Sequence, residues 1–544
     1  MAHKAGKHAK AATLMLLAIA VILVLNLALT PVLEKWSLLA AFGLATLVMW
    51  PVLHYFLKQC TYAGILYKID SKKGLKFIDR LGTGHSSFWI AIGDIALMLS
   101  FGGLGAAFAT GHVGKKGRAW ILAALAFLTI FVYMGRNVIS FFPFGVYVSA
   151  DILTLGVSLL VAWFAYKSSY SFSEGKASLA AFIMALSFFG SPYLLDYSIS
   201  GSPYSLAMGF TLGAIGLPAL VIFPLFVQGV NIAVGASQMP GINPGYPEME
   251  NGVPVLKYAG TNISIPFFPD ILIAFIIMIA LHECFHGLVA RAQGIPLKHT
   301  GLLFLSIIPL GAFVEPDEAR FKKERLDKQM RVYAAGSFAN IFVVALGVFL
   351  LANLMASSGI VNADGFVIGG VVKDSAADGF LRPGDVVSNV GGVKTLTFFD
   401  FSGTMKSTKP GDNLTMVTQR GPVSIQLGES PSYTGRGFVG VELYNDPIMA
   451  MFTPSLSTSH IEPSAGAAML SLMKWVFFLN LMLGIMNLLP LRFFDGGYAY
   501  GGMFYWVGKK LGKKKGIKIA NAVSSAFGLL VLALFLINLS PYLF

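Results

Sequence analysis

His282, Glu283 and His286 lie within five residues of one another in ILIAFIIMIALHECFHGLVARAQG, residues 271–294. On a helix, a spacing of four puts both imidazoles on one face, one turn apart. Two such nitrogens can bind one zinc ion at about 2.0–2.1 Å. Glu283, beside them, is placed to take a proton from an attacking water. This is the HExxH arrangement of zinc hydrolases. The apolar run from Ile271 to Leu281 leads directly into it. Polar side chains in such a helix are costly unless they have a task; the plainer reading is a polar cluster that joins helices. At about 1.5 Å rise per residue, His282 stands roughly 18 Å from Asp270 and roughly 14 Å from Arg291. The site is therefore expected within a bilayer, nearer its inner side.

A catalytic zinc usually takes three protein ligands and keeps one open position. The pattern HExxHxxGxxH would supply a third histidine nearby, but Val289 and Ala292 occupy the Gly and His positions. Two acidic residues remain as candidates. Glu315 stands in GAFVEPDE, and Asp495 follows an apolar run in NLLPLRFFDGG. The simpler role for Asp495 is to cap a following helix. The two cysteines, Cys60 and Cys284, form no CxxC pair, so a cysteine zinc site or disulfide framework is not expected.

The elements that must position these residues are set by composition. The chain has 544 residues, 55% hydrophobic and only 12% charged, against about 25% charged in an average soluble domain. Lipid is the expected solvent. Apolar stretches near 11–31, 37–57, 88–110, 119–141, 145–166, 178–199, 205–230, 271–290, 333–354, 468–489 and 517–540 predict about eleven transmembrane helices. The first follows a basic start and could also be read as a signal peptide; its length and the lack of a small-residue cleavage site favour a retained span.

The net charge of +13 is concentrated in short clusters between apolar runs. That pattern fits positive-inside loops rather than nucleic-acid binding. With the N-terminus cytoplasmic, the clusters at 4–10, 58–80, 320–331 and 509–518 fall inside, while Lys115, Lys116 and Arg118 fall outside. Leu302–Val314 is apolar, too short to cross and contains Pro309, so it is expected as a re-entrant or buried loop on the cytoplasmic side. Residues 231–269, rich in Pro and Gly, are expected as an outer loop of connecting structure. From about 356 to 450, alternation such as NLTMVTQ between Gly and Asp turns predicts a small, mainly β domain inserted outside the cytoplasm.

At this point the residues resemble the site-2 protease family of intramembrane zinc metalloproteases. One hallmark is His282-Glu283-Cys284-Phe285-His286. The other, NxxPxxxxDG, is matched without gaps by Asn487 through Pro490 to Asp495-Gly496. GAFVEPDE and AAGSFAN (334–340) are also similar, especially to archaeal members, and SAADGFLRPGDVVSNVGG resembles part of a PDZ domain. The resemblance covers about residues 260–510.

It implies an α-helical polytopic membrane protein with a PDZ-like insertion. Residues 1–230 form a multi-span region to which it assigns no chemistry. The protease core would be split between 270–355 and 466–544. His282, His286 and Asp495 would ligate one Zn2+ per chain. Glu283 would be the general base and later the acid, and Asn487 would orient substrate or stabilise the oxyanion. The partners implied are transmembrane protein substrates, the lipid bilayer, and a peptide or terminus on the PDZ-like domain. Rival readings are a receptor or scaffold with a structural zinc site, and another class of membrane zinc protease that uses Glu315.

Overall fold

A computed structural model describes residues 60–63, 66–72, 74–134, 152–243, 245–250, 253–258, 264–266, 269–305, 308–357, 363–430, 435–444, 449, 458–461 and 464–542. The expected spans at 11–31 and 37–57 lie outside the described residues. The described part is mostly helical, with some β-sheet. It divides into two compact units: one draws on residues up to 342 and from 479 onward, the other on 343–478.

The first unit begins with strands β1 (Cys60–Ala63) and β2 (Leu66–Ser71). Helices α1 (Leu75–Gly84), α2 (Ser86–His112), α3 (Lys115–Met134), α4 (Ile152–Ser169), α5 (Glu174–Ser200), α6 (Pro203–Ile215) and α7 (Ala219–Ala233) follow. Strands β3 (Gly245–Glu250), β4 (Val253–Tyr258) and β5 (Ser264–Pro266) lead to α8 (Pro269–Ala292), and β6 (Leu297–Leu305) and β7 (Ile308–Pro316) to the long helix α9 (Leu326–Ser357). Seven described helices are long and apolar enough to cross a membrane: Ser86–His112, Lys115–Tyr133, Glu174–Leu194, Asp270–Ala292, Leu326–Val348, Ala465–Met486 and Lys514–Tyr542. Each falls on an expected span.

Two expectations change. The stretch 205–230 is not one span but α6 and α7, broken at Gly216 (φ +75°) and Pro218. The break meets a second one. Gly102, at φ +56°, interrupts α2, and the freed Ser100 carbonyl accepts from Leu217 N at 3.2 Å. A Cβ on Gly216 would stand 2.4 Å from the Ser100 oxygen, so the two backbones meet only because these positions carry no side chain.

The apolar segment at 302–314 is likewise not an irregular loop. It belongs to the hairpin β6–β7, which β2 and β1 extend into a four-stranded antiparallel sheet, order β1-β2-β6-β7. A register shift between Leu303 and Phe304 accommodates Pro309, which pairs with Phe304. Much of the backbone is thereby bonded within the sheet, as apolar surroundings demand. Within 231–269, β3, β4 and β5 form an antiparallel sheet.

Small residues let the helices of this unit approach closely. Ala106 of α2, Leu122 and Leu125 of α3, and Ala177, Ala181 and Ala185 of α5 share one buried cluster. Other faces leave large apolar side chains exposed, such as Leu153 and Trp163 of α4.

The second unit contains strands β8 (Ala363–Val371), β9 (Val386–Val390), β10 (Val393–Lys394), β11 (Asn413–Thr418), β12 (Gly421–Gln426), β13 (Gly428–Glu429), β14 (Gly437–Phe438), β15 (Val441–Leu443) and β16 (Ser459–Ile461), with helix α10 (Phe398–Met405). The main sheet runs β12-β11-β9-β8-β15, with β10 on β9 and β16 on β8. In β11, Leu414, Met416 and Thr418 point inward in alternation. Leu414 and Met416 join Phe366, Ile368, Val387, Val390 and Ile425 in a core. Beyond residue 450, β16 pairs with β8. After it come α11 (Ala465–Met486), α12 (Asp495–Leu511) and α13 (Lys513–Leu539).

Candidate metal centre

Helix α8 carries both histidines. Its ends are conventional, with Pro269 and Asp270 in the first turn and Arg291 in the last. Gly294 (φ +78°) closes it, while Ile295 N donates to the Ala290 carbonyl at 3.0 Å. His282 and His286 are 5% and 9% exposed, so their ring nitrogens need partners inside the protein. Their Nε2 atoms lie 3.1 Å apart.

The opposite wall is α9. Val332, Gly336 and Asn340 recur at intervals of four, so they share one helix face. His286 Nδ1 donates to the Val332 carbonyl at 2.7 Å. A carbonyl only accepts, so Nδ1 carries the hydrogen and Nε2 is the ligating atom. Asn340 is fully buried, with its side-chain nitrogen 3.1 Å from His282 Nδ1 and its Oδ1 unpartnered among the described residues. A half-turn of that amide puts Oδ1 on His282 Nδ1, and the Nε2 lone pair of His282 then also faces inward. Between these two residues stands Gly336. A Cβ there would lie 2.3 Å from His286 Nε2 and 2.6 Å from His282 Nε2. The space against the nitrogens exists because residue 336 has no side chain.

Asp495 arrives from the loop between α11 and α12. Leu489 and Leu491 anchor this loop in a buried cluster with Ile222, Leu225, Val531 and Leu534. Gly496 N donates to the Asn487 carbonyl at 2.9 Å. A Cβ on Gly496 would stand 2.0 Å from the Leu488 oxygen, and one on Gly497 2.2 Å from the Leu491 oxygen. The glycines after Asp495 are therefore needed for the turn. Asp495 Oδ2 lies 3.0 Å from His286 Nε2 and 3.6 Å from His282 Nε2. Asn487 Nδ2 donates to Asp495 Oδ2 at 2.7 Å and stands 3.0 Å from His282 Nε2.

Two imidazole nitrogens and a carboxylate oxygen thus converge at separations of 3.0–3.6 Å. A tetrahedral ion with bonds of about 2.0–2.1 Å spreads its ligands about 3.3–3.4 Å apart. The donor set and spacing fit such a cation, and Gly336 leaves room beside it. His282, Glu283 and His286 also form a group whose ligand atoms all lie within 4.8 Å of one another. Asp495 and Glu315 are both outside that group. Glu315 sits on β7, opposite His299 in the hairpin register. Glu283 accepts from Val314 N at 2.9 Å, which ties the carboxylate to β7.

Sequence reasoning brought together His282, Glu283, His286, Asn487 and Asp495. It assigned no role to Val332, Gly336, Asn340 or Val314. The i, i+4 spacing of Gly336 and Asn340 was the available signal; the Val332 carbonyl and the Val314 amide leave none.

The sequence model of peptidase family M50 matches residues 270–531. An uncharacterized protein of Methanocaldococcus jannaschii is 28% identical over 294 residues, covering 53% of this chain and 70% of that protein. A membrane-bound transcription factor site-2 protease homolog of Arabidopsis thaliana is 28% identical over 136 residues. That match covers 25% of this chain, and the chain spans only about a quarter of the plant protein (26%).

Proposed function

From the match of residues 270–531 to the sequence model of peptidase family M50, we propose an intramembrane zinc metalloprotease that cleaves transmembrane segments of other proteins. The observation that carries the reading is the convergence of His282, His286 and Asp495 beside Glu283, next to a helix and a hairpin that brace them.

His282, His286 and Asp495 would hold the ion. Zinc bound there supplies a Lewis acid that makes water nucleophilic near neutral pH and polarises a carbonyl. Glu283 takes the proton from the attacking water and returns it to the leaving amine. Asn487 holds Asp495 in place and, as substrate enters, turns its amide to the scissile carbonyl. A membrane helix hides its carbonyls in hydrogen bonds, so the substrate unwinds locally. Its extended backbone then pairs with strand-like backbone near β7, whose Val314 N–H reaches Glu283. The β unit, read as PDZ-like, lies outside the cytoplasm and binds a terminus or admits only trimmed substrates.

Glu283→Gln is expected to retain zinc and lose cleavage of a membrane substrate by at least about 100-fold. Asp495→Ala is expected to lose zinc and Glu315→Ala to keep it, as read by metal analysis of the purified protein. Unchanged cleavage in Glu283→Gln, or full zinc in Asp495→Ala, overturns the assignment.

A further inference from the structure

We infer that Asp94, in the N-terminal helices outside the family match, is a positioning residue for the histidine pair and acts through Arg331. The inference rests on the reading that His286 holds a metal.

Arg331 is 7% exposed and forms a hub. Its Nε donates to Asp94 Oδ1 at 2.7 Å and its Nη2 to Asp94 Oδ2 at 3.4 Å, a forked pair between α9 and α2. Its Nη1 donates to Asp327 Oδ2 at 2.9 Å and to Gln293 Oε1 at 3.3 Å. Gln293 lies just past the end of α8, and Lys328 Nζ donates to its backbone carbonyl at 3.1 Å. One guanidinium thereby joins α2, the exit of the histidine helix and the start of α9.

The next residue, Val332, supplies the carbonyl that accepts from His286 Nδ1. Asp94 therefore bears on His286 through one side-chain pair and one peptide step. The contact also has a shaped seat. A Cβ on Gly93 would stand 2.8 Å from Arg331 Cβ and 2.9 Å from Cγ, so α2 receives the arginine stem only with glycine at 93. A buried guanidinium deprived of its carboxylate must find water or another acceptor, and moving it drags Val332. Groups that orient metal-bound histidines act on metal affinity itself.

The test uses purified full-length chain in detergent. Zinc affinity is measured by competition with a chelator, and the site is read independently from the absorption of the Co2+ form. Wild type is expected to bind one zinc and His286→Ala none; if wild type binds none, the underlying reading of the site fails. Asp94→Ala, Asp94→Asn and Arg331→Lys are each expected to lose about 10- to 100-fold in zinc affinity and to shift the Co2+ bands. Asp385→Ala, which weakens the β unit instead, is expected to leave both unchanged. Should Asp94→Ala not fold, the milder Asp94→Asn and Arg331→Lys carry the test. Wild-type affinity and spectrum in the folded variants, with wild type still binding zinc, would overturn the inference.

Discussion

Gly336 makes the sharpest demand on any single residue in the site. Gly336→Ala adds one methyl group to a helix, which intrinsic propensity favours by up to about 1 kcal/mol. Here that methyl would stand 2.3–2.7 Å from imidazole atoms of His282 and His286. The expected result is a protein that folds but loses zinc affinity by at least about tenfold. Calorimetric zinc titration beside a thermal melt checks it; undiminished affinity would mean that the ion does not lie between the nitrogens and α9. At this scale the acidic and imidazole groups were legible because their chemistry is written in their side chains. The carbonyl of Val332 and the amide N–H of Val314 were not, because every residue carries such groups. The choice of Asp495 over Glu315 needed the resemblance in sequence. In space, the hairpin register keeps Glu315 opposite His299, while Asp495 Oδ2 stands 3.0 Å from His286 Nε2.

Among the elements, the β unit has its own charge lock. Asp385 is 3% exposed. It accepts from Arg420 Nε at 2.8 Å, with a second close contact to Nη2, and from Arg382 N at 2.8 Å. The Arg420 hydrogen bonds hold its carboxyl below the ordinary carboxylate range, against a smaller opposing effect of burial. A depressed folded pKa contributes stability that is complete above the unfolded value. That stability is lost as pH falls through the folded one. Amide exchange of β9 is therefore expected to accelerate below about pH 4 in the full-length protein, and Asp385→Asn to flatten that acid limb. An unchanged acid limb in the variant would assign the loosening elsewhere. The long apolar runs of α8 and α9 and the alternation of β11 were legible in sequence. The hairpin β6–β7 was not, because LLFLSIIPLGAFV has no alternation and an apolar run of that length suits helix or strand. Its strand character comes from pairing with β2, some 230 residues earlier in the chain. The break between α6 and α7 depends in the same way on Gly102, a residue in a different helix.

Across the described chain, the N-terminal helices contact α8, α9 and α12. Asp79 pairs with Arg291 of α8 at 2.5 Å, and Asp94 with Arg331 of α9. Tyr500 of α12, fully buried, packs on Phe101 and donates to the Ile215 carbonyl at 2.7 Å. Farther along α12, Trp506 packs on Phe108 and His112 and lies under Lys510, which pairs with Glu174 at 2.7 Å. A chain beginning at residue 244 would keep the whole family match, yet leave Arg331 without Asp94 and Tyr500 without its carbonyl. It is expected to aggregate or to elute without zinc when purified in detergent, measured by size exclusion with metal analysis. A monodisperse, zinc-loaded fragment would show that these contacts are dispensable. None of this grip was visible in sequence, since it joins residues hundreds of positions apart whose apolar neighbours look alike.

The pairing of Asp94 with Arg331 also sets a schedule for manufacture. The two residues are 237 positions apart. At synthesis rates of about 5–20 residues per second, the carboxylate leaves the ribosome on the order of 10–50 s before its guanidinium. During that interval an apolar helix must wait with an unmatched acid, held by insertion machinery, by headgroups or by a proton. The early helices are thus committed to the membrane on credit from a residue not yet made, and a ribosome stalled between the two would strand them there.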